Sequence, residues 1–125
     1  VFINEYFAQL QHILSASAFI ASVETVEDAR TPYEGFFKAR IVFFDNSILS
    51  FREYLTTSVA PPKKYSYAFH YFKDKQLIFR YDNTPHFPSL KTFPHHKHLA
   101  NGNVVESIAP SLSDVLKEIE THIVI

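Results

Sequence analysis

Apolar positions recur along this chain at two different periods, and the change of period marks the elements. From Phe2 to Leu14 they fall at 2, 3, 6, 7, 10, 13 and 14, with Glu5, Gln9, Gln11 and His12 on the other side. That spacing predicts an amphipathic helix. Ser15 to Val26 mixes small and β-branched residues and reads as a first strand, broken by polar residues and Pro32 before Gly35. From Phe36 to Phe44 the period drops to two. Phe37, Ala39, Ile41 and Phe43 share one face, and Lys38, Arg40 and Val42 share the other.

Asp45-Asn46 suits a tight turn because both residues tolerate positive φ. Ile48 to Thr56 is the expected partner strand, with Phe51, Tyr54 and Leu55 as its apolar content. Two adjacent prolines make Ala60 to Lys64 a loop. Tyr65 to Phe72 and Leu77 to Asp82 then form a hairpin around Lys73-Asp74-Lys75. Tyr65, Tyr67, Phe69 and Tyr71 alternate onto one face; such a ladder can stack bases, but the reading here is core beneath a helix. His70 lies on the other face and reads as a satisfied, partly buried histidine. A three-residue turn puts His70 on the same face as Arg80, while a two- or four-residue turn separates them.

A long loop is expected from Asn83 to about Asn103, which includes Gly102. Ser111 can cap a last helix, with Asp114 favouring its positive end and Leu112, Val115, Leu116 and Ile119 as the buried stripe. The expected fold is α+β. It is a single domain over 1–125, an antiparallel sheet of about five strands with an N-terminal and a C-terminal helix packed on one face.

Composition narrows the picture. Without cysteine there are no disulfides and no thiolate metal sites. No apolar run reaches transmembrane length and no signal-peptide pattern occurs, so the expected location is the cytoplasm and no membrane partner is expected. The net charge of −1 conceals a basic middle, Lys38 to Lys97, between acidic ends. That balance is compatible with an anionic ligand such as RNA, but taken alone it reads rather as a solvated strand face.

The stretch Phe79 to His98, FRYDNTPHFPSLKTFPHHKH, concentrates the chemistry. It holds four of the seven histidines together with Arg80, Asp82 and Asn83, and it is interrupted by Pro85, Pro88 and Pro94. Prolines remove backbone donors and stiffen the chain, so this is a built loop rather than a core element. Histidine can accept and donate a proton near neutrality. RNA cleavage without a metal needs a base for the 2′-hydroxyl, an acid for the 5′-oxygen and cations at the phosphate. His86, His95, His96 and His98 are the acid–base candidates, Arg80 and Lys97 the phosphate clamps, and Asp82 an orienter of an imidazole. No cofactor is expected. A rival reading is metal: in extended chain His96 and His98 point the same way, and His86 or Asp82 could complete a set for Zn²⁺, although Lys97 between them puts a positive charge near the ion. The plainest reading has the histidines knitting the loop to the sheet.

The same stretch, preceded by YAFHYFKD and followed by a PSLSDVLKEIE helix, resembles the TumE-like family of toxin–antitoxin proteins over residues 35 to 122. The family pattern runs RYDN-x-PHHP, a short spacer, TFPHHKH, and a helix opened by Pro-Ser/Thr-Leu. Matched position by position, it covers Arg80, Tyr81, Asp82, Asn83, Pro85, His86, Pro88, Phe93, Pro94, His95, His96, Lys97 and His98. The resemblance adds Tyr81 and Asn83 to the residues expected to hold phosphate or RNA. It implies a small bacterial or archaeal toxin made beside a cognate antitoxin, and analogy with other small toxins suggests an endoribonuclease. A non-catalytic module that binds nucleic acid or antitoxin is the alternative. A free sheet edge would also suit a homodimer or antitoxin strand addition. Phe87 stands where the family usually has a second histidine.

Overall fold

The computed structural model describes residues 1–123. Its elements run α1 (Ile3–Ser15), β1 (Ile20–Ala29), β2 (Glu34–Phe43), β3 (Ile48–Thr56), β4 (Lys63–Lys73), β5 (Gln76–Asp82), β6 (His96–Leu99), β7 (Val104–Glu106) and α2 (Leu112–His122). The strands form one antiparallel sheet in the order β1-β2-β3-β4-β5-β6-β7, so each strand pairs with its neighbours in sequence.

One face of this sheet makes the core. Phe37, Ala39, Ile41 and Phe43 of β2, Leu49, Phe51 and Leu55 of β3, Tyr67, Phe69 and Tyr71 of β4, and Phe79 of β5 are all buried. Ile3, Phe7, Leu10 and Leu14 of α1 and Leu112, Val115, Leu116 and Ile119 of α2 cover them. Gly35 lets α1 approach the sheet, since a Cβ there would lie 2.9 Å from both Ile3 and Phe7. Ser111 and Asp114 form a full capping box on α2.

The expected α+β class and helix placement hold, but the sheet has seven strands rather than about five. The expected loop from Asn83 to Asn103 ends at His95, and β6 and β7 follow. Both are short, and β6 consists of His96, Lys97, His98 and Leu99, which offers no apolar alternation to read. Backbone pairing with β5 makes it a strand. The first strand also begins later than expected, at Ile20, and continues to Ala29.

Two bulges set the side-chain directions. Between β3 and β4 the register slips at Tyr54/Leu55. Tyr65 is thereby diverted from the core ladder, stays 44% exposed and packs against Tyr54 at 5.1 Å, with the two rings tilted by 46°. Between β4 and β5 the turn is the two residues Asp74-Lys75, both at positive φ. A plain two-residue turn would put His70 and Arg80 on opposite faces. An extra residue, Ile78, restores the phase, and His70 pairs with Arg80.

Candidate functional site

In β5 the alternation that sends Phe79 and Tyr81 toward the helices sends Arg80 and Asp82 to the open face. In β6, His98 pairs with Arg80 and His96 with Asp82. Four polar side chains from two adjacent strands therefore meet on the side of the sheet away from both helices, with His70 of β4 beside Arg80.

Asp82 is the centre of this cluster and only 3% exposed. Its Oδ1 accepts from the Thr84 N–H at 2.9 Å and from His96 Nε2 at 2.9 Å. Its Oδ2 accepts from Arg80 Nε at 2.9 Å and faces His98 Nε2 at 3.3 Å. Burial alone would raise the carboxyl. The Thr84 and Arg80 hydrogen bonds and the His96 and Arg80 charges outweigh it and hold Asp82 below its ordinary value.

His96 is 2% exposed, and both ring nitrogens face acceptors. Nδ1 lies 2.9 Å from the Pro94 carbonyl and Nε2 lies 2.9 Å from the Asp82 carboxylate. The Nδ1 proton goes to Pro94, so the second contact needs a further proton, or a cation, between Nε2 and Asp82. His96 is thus a buried clasp between the loop and β5, not an imidazole that substrate can reach.

His98 and His70 are more open. Burial lowers the His98 pKa against the opposing pull of Asp82, with His96 and Arg80 reinforcing the fall. Burial, then Arg80 and His98, lower that of His70. Both rings are accordingly neutral near pH 7. Arg80 Nη1 donates to His70 Nδ1 at 3.2 Å. With Nε on Asp82 and Nη1 on His70, three of the five guanidinium N–H groups remain free for a ligand.

A cleft of about 230 Å³ opens over these groups, lined by Arg80, Asp82, Thr84, His86, Phe87, His96 and His98. His86 is exposed at its rim. Phe87 packs edge-on against His96 at 4.8 Å and His98 at 5.8 Å, which fixes the loop over the strands.

The other residues grouped with this site by the sequence lie elsewhere. His95 alternates to the helix side, stacks on Tyr67 and shares a 2.9 Å hydrogen bond with its hydroxyl. Lys97 also faces the helices. Its ammonium donates to Glu118 of α2 at 2.7 Å and lies over the Phe79 and Tyr81 rings. Tyr81 donates to the same Glu118 at 2.6 Å. Asn83 is bound to the backbone of Tyr65 and Tyr67, where it extends the β4–β5 ladder. Period two alone would have separated His95 and Lys97 from His96 and His98. Thr84 and Phe87 join the cleft although the sequence did not nominate them, and His70 stands beside it through its contact with Arg80.

Asp82, His96 and His98 also meet the geometric requirement for a cation: one ligand atom from each lies within 4.8 Å of the others.

These features define a small α+β protein with a histidine–arginine–aspartate cleft at the β5–β6 end of a sheet meander. Comparison with protein-family models matches residues 10–123 to Toxin TumE, and the chain belongs to that family. The family assigns it the toxin part of a toxin–antitoxin system, with a cognate antitoxin as partner. No curated protein and no solved structure matches it. Among the described residues, no helix is long and apolar enough to cross a membrane.

Proposed function

We propose that this toxin is an endoribonuclease whose chemistry resides in the Arg80–His98–His86 cleft. The observation that carries the reading is a neutral, half-exposed imidazole beside an anchored guanidinium in a cleft on the open face. With His98 Nε2–H turned to Asp82, the Nδ1 lone pair is the base that takes the 2′-hydroxyl proton. The freed 2′-oxygen attacks phosphorus, and the bond to the 5′-oxygen breaks. His86 at the rim is the acid that supplies the proton to that leaving oxygen. Arg80 stabilises charge on the phosphoryl oxygens. The products are a 2′,3′-cyclic phosphate and a 5′-hydroxyl. Asp82 and His96 position Arg80 and His98 rather than touch RNA.

The test is incubation of purified toxin with RNA, beside His98→Gln and His86→Gln, with and without EDTA. Cleavage is expected to survive EDTA, to leave cyclic phosphate ends and to fall at least a hundredfold in His98→Gln. Full activity in both variants, or no cleavage by a folded, growth-inhibiting protein, would refute it. The second outcome would leave a binding module.

One observation favours a metal-dependent version. The Asp82–His96 and Asp82–His98 separations of 2.9 and 3.3 Å are close to the edge of a tetrahedral ligand set. The Pro94 carbonyl would hold the Nδ1 proton and so leave His96 Nε2 as the donor atom. Cleavage lost in EDTA and restored by Zn²⁺ or Mn²⁺ would select this version.

A further inference from the structure

The open face continues well beyond the cleft. Two side-chain rows cross it from strand to strand. One runs Glu24, Arg40, Ser50, His70, Arg80 and His98; its neighbour runs Val26, Lys38, Arg52, Ala68, Asp82 and His96. Arg40, Lys38 and Arg52 are exposed, and none enters an ion pair among the described residues. Lys38 sits directly opposite Arg52 on the adjacent strand. Like charges in that position oppose folding, so the pairing needs a reason outside the fold.

The surroundings favour an extended polyanion. Between these cations and the cleft the rows carry only small or neutral side chains, Ser50, Ala68 and His70. Arg52 is two strand spacings from Asp82, about 10 Å. Next to Arg52 on the same face lies Tyr54, whose ring packs at a tilt against the exposed Tyr65. Flat aromatic rings beside a line of cations accept unpaired bases as well as phosphates. The lane ends at β1, where Glu24 and Asp28 share this face.

We infer that the open face of β2, β3 and β4 is a single-stranded RNA lane leading into the cleft, with Lys38, Arg40 and Arg52 as phosphate contacts and Tyr54 and Tyr65 as a stacking platform. The inference rests on the proposed RNA chemistry, and it assigns the substrate as an unpaired strand entering from the β2 side. Each phosphate contact on a single strand contributes about 0.7 to the slope of log affinity against log salt. Three contacts therefore account for a slope of about 2.

The experiment measures anisotropy of a labelled polyuridine oligomer across a salt series. It compares the full chain, Lys38→Gln/Arg40→Gln/Arg52→Gln, and a control of equal charge change, Lys73→Gln/Lys75→Gln/Lys117→Gln. The lane variant is expected to bind at least tenfold more weakly at low salt, with a slope shallower by about 2. The control should change the slope by less than half as much. Tyr65→Ala should weaken binding without altering the slope. Equal slopes for lane variant and wild type overturn the lane even if RNA is cleaved. Tighter binding to duplex DNA than to polyuridine overturns the assigned occupant. Salt-dependent binding through the lane with no cleavage by wild type upholds the lane and removes only the catalytic reading.

Discussion

Replacing Asp82 with asparagine removes one charge and leaves the shape nearly unchanged, yet the structure makes this a severe substitution. The carboxylate is 3% exposed and meets donors from Thr84, His96 and Arg80, with His98 beside it. An asparagine can turn its carbonyl toward only one pair of these donors, and its NH₂ then faces the other. Arg80 and His96 lose the carboxylate they share at the buried floor of the cleft. Breaking a buried pair in this way costs about 3–5 kcal/mol. At an unfolding entropy of about 2.1 cal/mol/K per residue, this lowers the melting temperature by roughly 11–19 °C. The assay is thermal and urea unfolding across pH. Asp82 titrates below its ordinary value in the folded state, so its contribution is full above about pH 4 and is lost as pH falls through the folded value. The gap between wild type and Asp82→Asn should be widest near pH 7 and should close in acid. A variant that melts within about 3 °C of wild type, or a gap that persists to low pH, would refute the idea that this carboxylate holds the cleft together.

Three further outcomes follow from the same geometry. Lys97→Met should cost about 1–2 kcal/mol through the Glu118 bond and the ring contacts, and should leave RNA binding and growth inhibition within threefold; loss of RNA affinity would return Lys97 to the ligand site. His70, His95 and His98 have lowered folded pKa values, with burial as the leading cause, so their contribution to stability is full above about pH 6.5 and is lost as pH falls through those values. The urea midpoint should drop between pH 7.5 and 5, less so in His70→Gln/His98→Gln; an equal drop in that variant would count against it. Gly35→Ala should destabilise by about 1–3 kcal/mol, because its Cβ would sit 2.7 Å from the Asp28 carbonyl oxygen; an unchanged melting temperature would show that α1 yields freely.

Much of the architecture was legible because β2 to β5 alternate cleanly. Phe37, Ala39, Ile41 and Phe43 announce a buried face, and Ser111 with Asp114 announces a helix start. The last two strands were not, since His-Lys-His-Leu carries no apolar rhythm and is a strand only because β5 offers it partners. The site was half legible. Arg80, Asp82, His96 and His98 belong together, and His86 reaches the rim of their cleft. His95 and Lys97 could have been set apart by the alternation that joins His96 to His98. The place of His70 could not be read, because it depends on the bulge at Ile78, and a bulge leaves no compositional trace.

Every strand in this sheet pairs with the strand made just before it. The sheet can therefore assemble in the order of its synthesis, through pairings local in sequence. The first four strands can gather before any side chain that lines the cleft has been made. Arg80 and Asp82 come next, but Asp82 gains its clasp only when His96 is added, and the core gains its second cover only with α2. The cleft is thus incomplete until β6 has been made and paired with β5. An antitoxin that meets the emerging sheet before β6 docks would need only to block one pairing, not to prise open a finished sheet.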